Sequence, residues 1–201
     1  MKSCFSLVFI IFVISACQRE PAIQFSKLDP DKTGIHFINS LTETHQYNYF
    51  TYPYMYLGGG VAIGDINNDG LEDIFFTGNM VDNKLYLNKG EFEFEDISQD
   101  AGITGDDRWY SGTTFVDING DGYLDIYCAV GGKNPPNNNV LYINNQDNTF
   151  SERGKEYGID CDGNSMHATF FDYDSDGDLD LYVINYPPTS FTAPVEYYHY
   201  M

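Results

Sequence analysis

The chain is short of cysteine, of tryptophan and of positive charge. It has 4 cysteines, 1 tryptophan, and 10 lysines and arginines against 30 aspartates and glutamates in 201 residues. Each shortage excludes something. So few cysteines in a chain of this length do not make a disulfide framework. Cys128 sits in the apolar run Ile126–Val130 and reads as a small buried residue. Cys161 sits in a polar loop, and a bridge between the two is permitted in an oxidising compartment but not expected. A formal net charge of −20 argues against nucleic acid, whose phosphates require basic patches. His36, His45, His167 and His199 are scattered and show no ligand spacing, so surface or packing roles are expected of them. The chain lacks a glycine-rich phosphate loop, a nucleophile elbow and an HExxH helix.

Long hydrophobic runs are scarce too. One apolar run, Phe5 to Ser15, follows the positive start Met1-Lys2 and leads into Ile14-Ser15-Ala16-Cys17. It is too short to cross about 30 Å of hydrocarbon and reads as a secretion signal. The pattern resembles a lipobox, which makes 1–16 the signal peptide and Cys17 the lipidated N-terminus of a membrane-anchored protein. An exported lipoprotein of a Gram-negative outer membrane or cell surface is the expectation. Gln18-Arg19-Glu20 occupies the place of a sorting signal and leaves the membrane face open.

What is present is glycine, asparagine and aspartate between aromatic and β-branched runs, the composition of an all-β protein. Three segments align: Asp65-Ile-Asn67-Asn-Asp69-Gly70-Leu71-Glu-Asp73, then Asp117-Ile-Asn119-Gly-Asp121-Gly122-Tyr123-Leu-Asp125, then Asp172-Tyr-Asp174-Ser-Asp176-Gly177-Asp178-Leu-Asp180. They start 52 and then 55 residues apart. A short apolar run flanks each on both sides, and the first two units continue through Leu85-Tyr86-Leu87-Asn88 and Leu141-Tyr142-Ile143-Asn144 to Phe94 and Phe150. The unit therefore reads as strand, Asp loop, strand, turn, strand, turn, strand. Four short strands in about 50 residues is the size of a propeller blade, which must stack on neighbours to bury its faces. After a lead-in over 17–56, the blades are placed at 57–108, 109–163 and 164–201, two full units and the first half of a third. Propellers close with about 4–8 blades. The expectation is an incomplete propeller, from a piece of a longer protein or one that packs its open edges on another chain.

The loop spacing puts oxygen side chains at positions 1, 3, 5 and 9, allows a sharp turn at the glycine in position 6, and offers the position-7 carbonyl. These are hard ligands for calcium, which takes 6–8 oxygens. Zinc would want histidine or cysteine. Crowded carboxylates also repel unless a cation neutralises them. The expected ligands are Asp65, Asn67, Asp69, Leu71 and Asp73; Asp117, Asn119, Asp121, Tyr123 and Asp125; and Asp172, Asp174, Asp176, Asp178 and Asp180, with about one calcium per loop. Loop three, with Asp174 where the others have asparagine, should be tightest by charge count. An EF-hand would need glutamate at position 12, where Phe76, Cys128 and Val183 stand. A metal-free Asx turn remains the alternative for any single copy.

With these residues placed, the units resemble FG-GAP/VCBS repeats. The stretches Leu57–Asp65 and Lys84–Gly90 are similar to bacterial VCBS-repeat proteins that often carry an ASPIC/UnbV domain. The resemblance covers Gly34 onward. The glycine that precedes the loop in the family is present as Gly60 and Gly112 but is His167 in unit three, and this chain contains no ASPIC/UnbV domain. The resemblance implies calcium at loop positions 1, 3, 5 and 9, and binding or adhesion at the cell surface more often than catalysis. A protein or polysaccharide ligand is expected. The alternative is part of an enzyme acting on polysaccharide, with catalytic residues outside this chain. Trp109-Tyr110 and Tyr47, Tyr49, Tyr52, Tyr54 and Tyr56 could stack on sugar rings, although such aromatics more often fill strand faces.

Overall fold

The computed structural model describes residues 25–187 except 104 and 134. The signal (1–16), Cys17, Gln18–Glu20, His199 and the part of the third unit from 188 onward lie outside the described residues. Within the described residues short α-helices occur at Pro30–Thr33 (α1) and Gly154–Tyr157 (α2) and a 3-10 helix at Pro53–Tyr56; the rest is strand, turn and irregular chain. Among the described residues no helix is long and apolar enough to cross a membrane.

The strands among the described residues form three antiparallel sheets. The first runs β1 (Val61–Gly64), β2 (Asp73–Phe76), β3 (Lys84–Asn88), β4 (Phe94–Asp96) in sequence order. The second repeats it with β5 (Trp109–Val116), β6 (Asp125–Gly131), β7 (Val140–Asn144) and β8 (Phe150–Glu152). The third pairs β9 (Ser165–Phe171) with β10 (Asp180–Asn185). These are the expected all-β blade units. The strands β5 and β9 begin earlier than their apolar runs suggest, and a bulge between Tyr110 and Gly112 lets β5 continue.

The blades stack through alternating faces. Phe75 of β2, fully buried, packs with Leu85 and Leu87 against Ile126, Cys128 and Val140 of blade two. One repeat on, Tyr127 packs with Leu141 and Ile143 against Ala168, Phe170 and Leu181. Each such side chain contributes about 1.5–3 kcal/mol by leaving water. The inner strands approach closely. A Cβ on Gly60 would lie 2.6 Å from the Thr113 nitrogen, and one on Gly112 would lie 2.4 Å from the Met166 carbonyl oxygen. At the matching place in β9 stands His167, which is exposed among the described residues. Both described cysteines are free; burial pushes the Cys128 thiol up to about 12, and Cys161 is exposed.

The repeats are unequal in one buried detail. In blade two the Tyr127 hydroxyl donates to the Ile159 carbonyl and accepts from Asn139 Nδ2, both at 2.9 Å. In blade one phenylalanine stands there as Phe75, and the Asn83 Nδ2, matching Asn139, is buried without a partner. Tyr127→Phe should therefore cost about 1–3 kcal/mol by leaving an amide and a carbonyl unpaired. Phe75→Tyr should raise the melting temperature by giving Asn83 its acceptor. Thermal melts of the two variants check both signs, and a neutral Tyr127→Phe would contradict the assignment.

The lead-in is not a strand. Residues 44–57 cross the end of the blades opposite the Asp loops, where β5 and β9 begin and β6 and β10 end. Tyr47 stacks on Trp109 with centroids 5.8 Å apart, and Tyr52 meets the same indole edge-on at 5.1 Å. The Tyr52 and Tyr186 hydroxyls lie 2.7 Å apart, and the Gly132 N–H donates to Tyr186 at 2.8 Å. Tyr52, Met55, Trp109 and Tyr186 are buried, whereas Tyr49 and Tyr56 are exposed. The tyrosine run thus fills neither a strand face nor, for its buried members, a sugar platform. It ties the lead-in to blades two and three.

Candidate metal centre

Each Asp loop joins the first two strands of its unit, so all three lie at one end of the blades. Positive φ at Asn68 (60°) and Gly70 (86°), at Gly120 (71°) and Gly122 (86°), and at Ser175 (64°) and Gly177 (96°) curls each loop on itself. The same internal bonds recur. Asp65 accepts from the Asp69 and Gly70 N–H groups at 3.1 and 2.8 Å, and Asn67 Oδ1 accepts from Asp69 at 3.1 Å. Asp117 and Asn119 do the same for Asp121 and Gly122 at 2.9–3.0 Å. Asp172 accepts from Ser175, Asp176 and Gly177.

Position 5 is held by the loop it serves. Asp69 Oδ1 accepts from Leu71 N–H, Asp121 Oδ1 from Tyr123, and Asp176 Oδ1 from Asp178, at 2.9–3.1 Å. The Tyr123 N–H, with help from Gln146 and Asn119 against slight burial, holds the Asp121 carboxyl below its ordinary value. Asn67 Nδ2 donates to Asp69 Oδ2, and Asn119 Nδ2 to Asp121 Oδ2, both at 3.0 Å. An amide thus replaces one like-charge contact in loops one and two. Loop three has Asp174 instead, and Asp172, Asp174 and Asp176 bring one carboxylate oxygen each within 4.8 Å of one another.

Position 9 differs from the rest. Asp73 and Asp125 are fully buried. Asp73 Oδ2 accepts from Ile66 N–H at 3.0 Å and Oδ1 from Asn88 N–H at 2.7 Å. Asp125 accepts from Ile118 at 3.1 Å and Asn144 at 2.8 Å. Burial raises both carboxyls above the ordinary value, and the acids at positions 5 and 1 push the same way, against the lowering by the two N–H bonds. In loop three Asp180 accepts from Tyr173 at 2.7 Å and is only half-buried.

Asn88 and Asn144 are site residues that the sequence presents but does not explain. Their recurrence at the end of the third strand was the available signal. Each gives its backbone N–H to the position-9 carboxylate and its side-chain amide to the carbonyl before it, Glu72 or Leu124. Positions 1, 3 and 5 come together: in loop three as carboxylates within 4.8 Å of one another, and in loops one and two through the hydrogen bonds above. Position 9 lies behind them, with its carboxylate on backbone N–H groups. The oxygen-rich donor set suits a hard divalent cation more than zinc.

The model of the FG-GAP-like repeat matches residues 65–128 and again 117–183. Cartilage acidic protein 1 of Xenopus tropicalis is 36% identical over 90 residues, which is 44% of this chain and 14% of that protein. The chain therefore aligns with only a small part of that relative's own length.

Proposed function

This chain belongs to the FG-GAP-like repeat family, and from that premise we propose that it is a calcium-binding surface module held to a membrane through a lipidated Cys17. The observation that carries the reading is the threefold recurrence of one oxygen-lined loop with the same internal hydrogen bonds. Asp65, Asn67 and Asp69, with the Leu71 carbonyl and Asp73, would hold one ion. Asp117, Asn119, Asp121, Tyr123 and Asp125 would hold a second, and Asp172, Asp174, Asp176, Asp178 and Asp180 a third. Bound calcium would supply positive charge that offsets repulsion among these carboxylates. The protein supplies the rest: position 9 anchors each loop to its sheet, and positive φ at the turn directs the oxygens inward.

The likeness to bacterial VCBS-repeat lipoproteins of the ASPIC/UnbV-associated kind belongs to this proposal, as does an outer-membrane or cell-surface location. The ligand would be a protein or polysaccharide engaged by loops on rigid blades. The test is a calcium-dependent pulldown with a glycan array in parallel, using the mature chain. Capture in calcium that is lost in chelator supports the module. No calcium-dependent ligand in either format sinks the adhesion reading. Radiolabelled palmitate should enter the full-length protein and not a Cys17→Ser variant.

A further inference from the structure

Loops one and two are joined to each other, and this joint has consequences for the proposed ions. Asn144 gives its backbone N–H to Asp125 Oδ1 in loop two and its side-chain amide to the Ile66 carbonyl in loop one, both at 2.8 Å. Ile66 in turn gives its N–H to Asp73. The two position-9 carboxylates are thus linked through two residues, Ile66 and Asn144, and both are fully buried. A second link runs along the surface. Asn68 Nδ2 donates at 3.0 Å to the Gly122 carbonyl. That peptide's other end, the Tyr123 N–H, donates to Asp121. Loop one therefore grips the peptide that precedes the position-7 carbonyl of loop two.

The surface link cannot recur between loops two and three. Glycine stands as Gly120 where loop one has Asn68, and it has no side chain to reach Gly177.

We infer that loops one and two take up calcium as one cooperative two-ion unit that staples blade one to blade two, while loop three binds independently. The inference rests on the calcium reading above. An ion that draws in Asp121 and the Tyr123 carbonyl fixes the Gly122–Tyr123 peptide and so orders Asn68 between Asn67 and Asp69. An ion in loop one fixes Asp73 and Ile66, and through Asn144 it fixes Asp125. Each ion thereby meets part of the ordering requirement of the other site, which is positive coupling through shared structure.

The test is a calcium titration of the full chain followed by nuclear magnetic resonance at the backbone amides of Gly70, Gly122 and Gly177, one for each loop. Gly70 and Gly122 should move together along one steep curve, and Gly177 along its own simple curve. Asp65→Ala, which cripples loop one, should raise the calcium needed to move Gly122 by on the order of tenfold and leave Gly177 unchanged. Asn68→Gly should draw the Gly70 and Gly122 curves apart. Its backbone already has φ 60°, and glycine occupies the matching place in loop two, so this variant keeps the fold. Three independent curves, or an Asp65→Ala variant whose Gly122 response is unmoved, would overturn the coupling alone. Silence at all three glycines would overturn the calcium reading and the coupling with it.

Discussion

Asp125→Ala should destabilise the metal-free chain by about 2–5 kcal/mol, while Asp117→Ala should cost less than about 1 kcal/mol. Both residues are expected calcium ligands, and the difference separates holding a loop from holding an ion. Asp125 is buried and is the acceptor for the Ile118 and Asn144 N–H groups. Removing it strands two donors at a blade seam, and water cannot replace the carboxylate without opening the sheet. The Asp117 carboxylate serves exposed turn N–H groups that water can satisfy. Urea melts in chelator read the difference, and equal costs would mean that position 9 is no anchor.

The same carboxyl sets a pH trend. Its folded value is raised, chiefly by burial. Between the ordinary carboxylate value and that raised one, the folded chain holds a proton that the unfolded chain has lost, so stability falls as pH rises through the window. Asp125→Asn should flatten that slope.

Trp109→Ala should destabilise by about 3–5 kcal/mol, the range for deleting a large buried aromatic. Its effect should be seen first in the lead-in. The indole is the surface on which Tyr47 and Tyr52 pack, and Tyr52 is the residue that meets Tyr186 of blade three. Limited proteolysis should cut between residues 44 and 57 in the variant and spare the same stretch in the parent. Trp109→Phe keeps a ring in place and should retain most of the protection. Cutting at equal rates in parent and Trp109→Ala would show that the lead-in is held by something else. Trp109 is the chain's 1 tryptophan, so its fluorescence reports on this junction without a label.

The repeat was legible because the Asp loops leave a rigid signature: alternate oxygens and a glycine at the turn. The strands around the loops followed from their apolar runs, and their order within a blade from the repeat. What the sequence did not reveal depends on contacts between repeats. Asn88 and Asn144 look like ordinary strand ends until the position-9 carboxylate is seen to bond their N–H groups. Asn68 looks like a turn residue until Gly122 of the next blade lies beside it. Tyr52, Tyr54 and Tyr56 alternate as a strand would, yet the chain forms a 3-10 turn at Pro53–Tyr56, and Tyr47 and Tyr52 are placed by a single indole and a single phenol on two different blades. The early starts of β5 and β9 were hidden by Ser111-Gly112 and Ser165, which carry little strand signal but sit where two backbones meet closely.

The most direct measurement is a pair of thermal melts of the mature chain, followed by circular dichroism, in excess calcium and in excess chelator. A ligand that binds only the folded state at 100 times its dissociation constant adds about 2.7 kcal/mol per independent site. Three loops should therefore raise the melting temperature by many degrees, and Asp172→Ala should remove part of the rise. A chain that melts at one temperature in both conditions would contradict the claim that these loops are metal sites.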